Sequence, residues 1–507
     1  MASTFFGLTI AYSGLQAANT SLTITGHNVS NINTKGYTKQ QAGTQAADAL
    51  RTHTTYGAIG SGVVVTEISQ IRDSYYDVKY RNNMANYGQY SVKESYMGQI
   101  EDYLDEFTLN GYSQEYKNFF SAVNQLTITP GDTSAKNQLI NNAKSLADYF
   151  NTLTTNLRNV QADANNEIKD AVQQINSYAK NIAALNRQIN QIEANYGNAN
   201  DLRDKRNAMI DELSEIVNLE TSEEDMGNNV SNFSVRINGQ TLVSSYSYNT
   251  LETVARTDKK NYSDAEGLYD VQWNSGQKFD MYSTSLSGHL KGLIDIRDGN
   301  NGEHENIETD DDGNNVTDSD GNLVLTTAPA ADKTVSYKGV PYYQAQLNEF
   351  AKIFSDAVNK IMKSGYTSDG SSKGISLFVT QPNTTVMSAG NITVNPQLLK
   401  NADLLAIKKE QNDGESDAKI MEELNKLQSE KIFAGGTGSY FLESIVSDMS
   451  IDSQKAVNLY KNYTDLKTSI HNQRLSIMGV DTDEEAMDMI KYQQAYNLNS
   501  KMMSVMN

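Results

Sequence analysis

Apolar and packable positions near the N-terminus fall at Phe5, Leu8, Tyr12, Leu15, Asn19, Leu22, Gly26 and Val29, alternately three and four residues apart. That is the spacing of a coiled-coil seam. It predicts a helix that stops where Asn28-Val29-Ser30-Asn31-Ile32-Asn33-Thr34-Lys35-Gly36-Tyr37 supplies turn-forming residues. A longer seam runs Leu139, Ala143, Leu146, Phe150, Leu153, Leu157, Val160, Ala164, Ile168, Ala171, Ile175, Tyr178, Ile182, Leu185, Ile189, Ile192 and Tyr196. Its two consecutive four-residue steps around Ala164 relax left-handed supercoiling locally. A helix spanning it would be roughly 85 Å long at 1.5 Å per residue. The stripe is narrow and its flanks are polar, so the helix needs partners. Met449, Asp452, Ala456, Leu459, Tyr463, Leu466, Ile470, Gln473 and Ile477 keep the same alternation. Shorter stripes follow Leu347, Phe350, Phe354, Val358, Ile361 and Ala495, Leu498, Met502, Val505.

Between about Glu220 and Tyr343 the period drops to two. Phe233, Val235 and Ile237 alternate with polar residues into Asn238-Gly239, then Thr241 and Val243, which predicts a β-hairpin. Tyr269, Val271 and Trp273 predict a further strand. Eight acids crowd residues 303–320, from Glu303 to Asp320. The predicted fold is an α+β multidomain chain: paired terminal coiled-coil helices, a long helical-bundle stalk and an inserted β-rich outer domain. The expected ranges are 1–70 with 480–507 for the terminal core, 71–239 with 336–479 for the stalk, and 240–335 for the insert.

Composition narrows the chemistry. The 507 residues carry a formal charge of −20, which disfavours non-specific binding to nucleic acid. No apolar stretch approaches the roughly 20 residues of a membrane span, and no basic, apolar leader marks the N-terminus. Absence of Cys excludes disulfides, thiolate metal sites and a Cys nucleophile. Glu308, Asp310, Asp312 and Gly313 follow the start of an EF-hand loop, but Ser319 stands where the bidentate Glu belongs, so a solvated turn is expected. Gly57, Gly60 and Gly62 precede the β-rich Val63-Val64-Val65 and lack a Gly-Lys-Ser/Thr, which reads as a turn. Asp201-Leu202-Arg203-Asp204-Lys205-Arg206 reads as a charged helix start with pairs such as Asp201 to Lys205. There is no Gly-x-Ser-x-Gly elbow and no His-Glu-x-x-His, and nothing amounts to a catalytic constellation or a cofactor site.

Two terminal motifs carry a resemblance. Ser13-Gly14-Leu15-Gln16-Ala17-Ala18 with Asn28 to Gln40, and Tyr492-Gln493-Gln494-Ala495-Tyr496-Asn497-Leu498-Asn499-Ser500-Lys501-Met502, resemble the end signatures of bacterial flagellar axial proteins. Within that family the interior is similar to the hook-associated proteins of the hook–filament junction. The matching segments are Asn200 to Arg206, Ser287 to Asp298, Pro341 to Ala351 and Met478 to Ala486. His27 and Lys39 depart from the family's usual Asn or Gln and Arg. The resemblance implies a structural, non-enzymatic subunit outside the cell, exported unfolded by the flagellar type III route without a cleaved signal. Its implied partners are further copies in a ring of about eleven, the hook protein, a second junction protein next to the filament and a cytoplasmic export chaperone. The terminal helices are implied to order on assembly. The residues expected to carry it are Leu8, Leu15, Leu22, Val29, Asn31, Asn33, Gly36, Tyr37, Gln493, Gln494, Tyr496, Leu498 and Met502. The alternatives are a hook or rod subunit, which usually lacks the 139–196 helix, and a secreted adhesin or enzyme carried by the β insert.

Overall fold

The computed structural model describes residues 4–51, 58–104, 112–257, 259–299, 303–307, 316, 325–329, 337–382, 384, 386–414, 416–433 and 436–506. The chain runs α1 (Thr4–Ser30), β1 (Gln40–Ala46), β2 (Leu50–Arg51), β3 (Ala58–Ile59), β4 (Val63–Gln70), α2 (Ser74–Leu104), α3 (Tyr112–Ile128), α4 (Thr133–Glu193) and α5 (Asn200–Ile216). A strand-rich stretch follows: β5 (Glu220–Asp225), β6 (Ser231–Ile237), β7 (Gln240–Ser244), β8 (Ser247–Tyr248), β9 (Leu251–Ala255), β10 (Tyr269–Trp273), α6 (His289–Asp298), β11 (Glu303–Ile307) and β12 (Leu325–Pro329). The remainder is α7 (Val340–Ser364), β13 (Tyr366–Thr367), β14 (Phe378–Thr380), β15 (Ile392–Val394), α8 (Pro396–Lys400), β16 (Ala406–Lys408), α9 (Lys419–Lys426), α10 (Gly438–Met478) and α11 (Thr482–Met506). Two compact units result. The first comprises 1–88, 173–251 and 462–507, the second 89–172 and 252–461. The α+β reading with paired terminal helices holds.

In the first unit β1 pairs antiparallel with β4, with a bulge at Gly43/Thr44. Strands β5-β6-β7-β8 form a four-stranded sheet. Its β6–β7 turn is the predicted one: Asn238 and Gly239 both take positive φ, +50° and +75°, matching the sheet's twist. Phe233, Val235 and Ile237 face inward. The last turns of α4 cover the sheet with a face that keeps Ile175, Ile182 and Ile189 of the predicted seam but turns away from its end. Ala179, Ile182, Ala183, Asn186, Ile189 and Asn190 are buried, while Ile192 and Tyr196 are exposed and the helix ends at Glu193. The reason is polar. Asn186 Nδ2 donates to the Ser245 carbonyl at 2.8 Å, and Asn190 Nδ2 to the Ser231 carbonyl at 2.8 Å. Amide side chains satisfy strand carbonyls that a purely apolar stripe would leave unpaired.

The second unit is built on the first forty residues of α4, whose seam from Leu139 to Ala171 is buried as predicted. An aromatic cluster joins α3 and α7: Tyr116, Phe119 and Phe120 meet Phe354, and Phe350 stacks on Phe433 at 5.1 Å. Leu347, Phe350, Phe354 and Val358 of the predicted α7 stripe are buried; Met362, not Ile361, completes it.

The expected 240–335 insert needs correction. Its start at 240 falls immediately after the β6–β7 turn and separates two paired strands of one sheet. Residues 252–298 belong to the second unit, and every residue from Leu290 to Asp298 is buried in it. Arg297 Nη1 donates to the Tyr269 carbonyl (2.6 Å) and to Asn165 Oδ1 on α4 (2.9 Å). Leu290, Leu293, Ile294 and Ile296 alone contribute about 1.5–3 kcal/mol each by burial. The stretch looked detachable because its polar residues read as surface, whereas Arg256, Asp298 and Arg297 form a satisfied interior network. Beyond it, the β11–β12 backbone ladder pairs Glu303 with Pro329 through Ile307 with Leu325. Glu308, Asp310, Asp312, Gly313 and Ser319, the weighed calcium loop, lie outside the described residues.

Candidate functional site

The site is the paired termini and the joint beneath them. Helices α1 and α11 run antiparallel in a heptad register. A Cβ on Gly7 would lie 2.8 Å from the Met506 sulfur, and one on Gly14 2.8 Å from the Asn499 amide, while Asn28 Nδ2 donates to Glu485 Oε1 at 3.1 Å. Gly7, Gly14 and Asn28 thus oppose Met506, Asn499 and Glu485 at matching intervals. Ala11, Ala18, Ser21 and Thr25, all buried, occupy the positions between. The chain's own pairing seam is therefore one of small residues, lying one position before the leucine seam on the helix. Small side chains let the backbones approach closely but bury little apolar area, so this pairing needs a second source of stability.

The joint supplies it. Past α1 the chain turns at Gly36, whose φ of +81° is unfavourable to any residue with a Cβ, and a Cβ there would also sit 3.0 Å from that of Ala208 on α5. The turn brings residues 37–40 back beside Asn28. Asn28 Oδ1 accepts from the Gln40 amide (3.0 Å) and Tyr37 Oη (2.8 Å); Asn28 Nδ2 donates to the Gln40 carbonyl (2.9 Å). Lys39 Nζ pairs with Glu484 (2.7 Å) and Glu485 (3.2 Å), and the Lys39 amide donates to the Met478 carbonyl (2.9 Å). On the α5 side, Asp204 accepts from the Thr38 amide (2.9 Å), Thr38 Oγ1 (2.8 Å) and Arg72 (3.2 Å). Arg474 from α10 bridges Asp77 (2.7 Å) and Asp211 (2.6 Å), and Arg81 also holds Asp211. A 90 Å³ polar cavity between Ser21, Thr25, Asn28, Lys39, Glu485 and Tyr492 completes the joint.

Electrostatics follow from burial. Burial pushes the Asp204 carboxyl up, against the pull of the Thr38 hydrogen bonds and Arg72. Burial would lower Lys39, but its hydrogen bonds and ion pairs with Glu484 and Glu485 leave it raised. Burial, then Asp201, Asp204 and Glu485, raise Tyr37, keeping its hydroxyl a donor to Asn28. Near the sheet, Arg206 lies over the Phe233 ring at 3.8 Å and pairs with Glu223; burial lowers it to about 10. Among the described residues no helix is long and apolar enough to cross a membrane.

The expected assembly residues divide. Leu8, Leu15, Leu22 and Val29 are half-covered, not buried within the chain. Gln493 and Gln494 are exposed, Tyr496 is half-covered, and Leu498 and Met502 are 63% and 44% exposed. Tyr37 and Gly36 belong to the joint; Asn31 caps locally, its Oδ1 accepting from Thr34 Oγ1, and Asn33 faces solvent. Site reasoning missed Asn28, Thr38, Arg72, Asp204 and Glu485. Asn28 and Thr38 sit within the quoted N-terminal motif, and Asp204 within the charge cluster. Asp201 takes a hydrogen bond from Gln40 Nε2 (2.9 Å), so the cluster is more than a charged helix start.

Long helices with terminal pairing define a flagellar axial protein, and residues 471–507 match the family described as the flagellar basal body rod FlgEFG protein C-terminal. Residues 97–378, more than half of the chain, match the flagellar hook-associated protein FlgK helical domain. The chain belongs to the FlgK family of flagellar hook-associated proteins, structural components at the hook–filament junction. It is 27% identical to flagellar hook-associated protein 1 of Bacillus subtilis strain 168, covering 100% of this chain and 97% of the relative. The protein of the same name from Salmonella typhimurium is 27% identical over 98% of this chain and 97% of its own. The fold is similar to a flagellar hook junction protein FlgK from Burkholderia pseudomallei, with a TM-score of 0.62 at 14% identity, covering 79% of this chain and all of that one. The FlgK-specific interior match sets aside the hook or rod alternative, and the family is one of structural flagellar proteins.

Proposed function

We propose that this protein assembles through the outer face of its paired terminal helices, joining copies of itself into the hook–filament junction. The observation that carries the reading is the displacement of the two seams. The chain's own helix pair uses Gly7, Ala11, Gly14 and Ala18, leaving Leu8, Leu15, Leu22 and Val29 half-covered. On α11, Met487, Ile490, Leu498 and Val505 are 58–86% exposed. Apolar residues at heptad spacing on helices that are already paired are surplus to the monomer and fit burial against neighbours. A closed ring of about eleven copies, with the hook protein on one side and a second junction protein on the other, accounts for that surface. Export would follow the flagellar type III route, with a cytoplasmic chaperone covering the termini until secretion.

The test is Leu15→Asp in a strain carrying only that form. It should be secreted and keep the exchange protection of its second unit, yet fail to retain filaments, because the charge meets an apolar neighbour on assembly. Normal filament retention by Leu15→Asp would overturn the reading.

A further inference from the structure

The chain has no cysteine, so methionine is its soft sulfur, and its 16 methionines are unevenly placed. Those of the two cores are closed off: Met84, Met97, Met281, Met362, Met421, Met449 and Met478 are 0–5% exposed. Helix α11 carries five, and four of them are open, Met487 at 65%, Met489 at 38%, Met502 at 44% and Met506 at 43%. Elsewhere among the described residues only Met226 is comparably open, at 66%. Unbranched thioethers suit a helix face that must pack against differently placed neighbours. The same thioethers are the groups a peroxide reaches first.

We propose that the α11 methionines are an oxidation site of the unassembled protein, and that their sulfoxides block its incorporation. The inference rests on the assembly reading above. A sulfur lone pair attacks a peroxide oxygen, the O–O bond breaks, and water leaves after proton transfer. Sulfur is oxidised by two electrons and hydrogen peroxide is the species reduced. Two consequences follow from position. Met487, Met489 and Met502 lie on the outer surface, where a sulfoxide places a polar oxygen in the contact to be buried. Met506 lies in the pairing seam itself. Its sulfur occupies the space left by the missing side chain of Gly7, 2.8 Å from a Cβ built there. An added oxygen there places a polar group at the closest approach of the two helices. Assembly covers the face, so incorporated subunits are protected while free ones are not.

The experiment treats the purified full-length chain with graded hydrogen peroxide. Sulfoxides are mapped by peptide mass spectrometry, and the protein is then added to hook ends lacking it. Met487, Met489, Met502 and Met506 should oxidise at least about a hundredfold faster than Met84, Met97 and Met362, which need core opening first. Hook-end binding should fall about tenfold or more, a change of 1.4 kcal/mol or above, and recover with methionine sulfoxide reductase. A variant with all four replaced by Leu should bind after peroxide, whereas Met226→Leu should give no protection. Equal oxidation of core and α11 methionines overturns the site. Undiminished binding by oxidised protein, or loss that the reductase does not reverse, overturns its effect. Untreated protein that does not bind hook ends overturns the assembly reading instead, and the sulfoxide map still decides the site.

Discussion

Replacing Asn28 by Ala isolates what holds the termini together. The substitution removes four hydrogen bonds at once: two with the Gln40 backbone, one from Tyr37 and one to the buried carboxylate of Glu485. Three neutral bonds at about 0.5–1.5 kcal/mol and one to a charged group at about 1.5–3 kcal/mol give a loss of about 3–7.5 kcal/mol. The α1–α11 seam has little to set against this. Its α1 positions are mostly Gly, Ala, Ser and Thr, which bury little apolar area, and helices in proteins take most of their stability from such packing. Since 1.4 kcal/mol is a factor of ten, the docked state of α11 should lose stability by about a hundredfold or more. Amide hydrogen exchange of the full chain, read by mass spectrometry on peptides from 482–506, measures this directly. The expected result is exchange of α11 at least about a hundredfold faster in Asn28→Ala, with the second unit's peptides unchanged. Unchanged α11 protection would refute the reasoning. So would wild-type α11 exchanging at the coil rate, because the joint then confers no order on the monomer.

Gly88→Ala should lower the melting temperature of the first unit sharply, since a Cβ there would lie 2.1 Å from the Glu215 carbonyl oxygen on α5; an unchanged melting curve would contradict the close α2–α5 approach. Deleting 252–298 should abolish cooperative unfolding of the second unit by circular dichroism, because it removes α6 and its buried Arg297–Asp298 pair; a stable product would restore the view of that stretch as dispensable. For pH, burial would raise Asp298, but Arg297 and Arg256 hold it well below its ordinary 3.8. A depressed carboxyl contributes stability above its unfolded value that is lost as pH falls through the folded one, so the contribution of Asp298 to the second unit should be lost only below about pH 4. In Asp298→Asn that acid-dependent part of the stability profile should shrink, and an identical profile would refute the assignment.

The periodicity of the chain was enough to place most of its helices and two of its hairpin strands. The a/d spacing of Leu139 to Ala171 and the Asn238-Gly239 turn are local signals whose meaning scarcely depends on the partner. Membership of an axial assembly was likewise legible, because the motifs at both ends are contiguous in sequence. What periodicity could not decide was which of two adjacent stripes on α1 serves the chain itself. Leu8, Leu15 and Leu22 make the stronger hydrophobic signal, yet Gly7, Ala11 and Gly14 win the intramolecular contact. The choice depends on how closely α11 approaches, and that distance is tertiary. The joint was hidden for a similar reason. Asn28, Lys39, Asp204 and Glu485 are polar residues that read as surface until residues 166 to 457 positions apart supply their hydrogen bonds. The same blindness made 252–298 look like an outer insert: a buried Arg or Asp is indistinguishable from a solvated one until its partners fold around it.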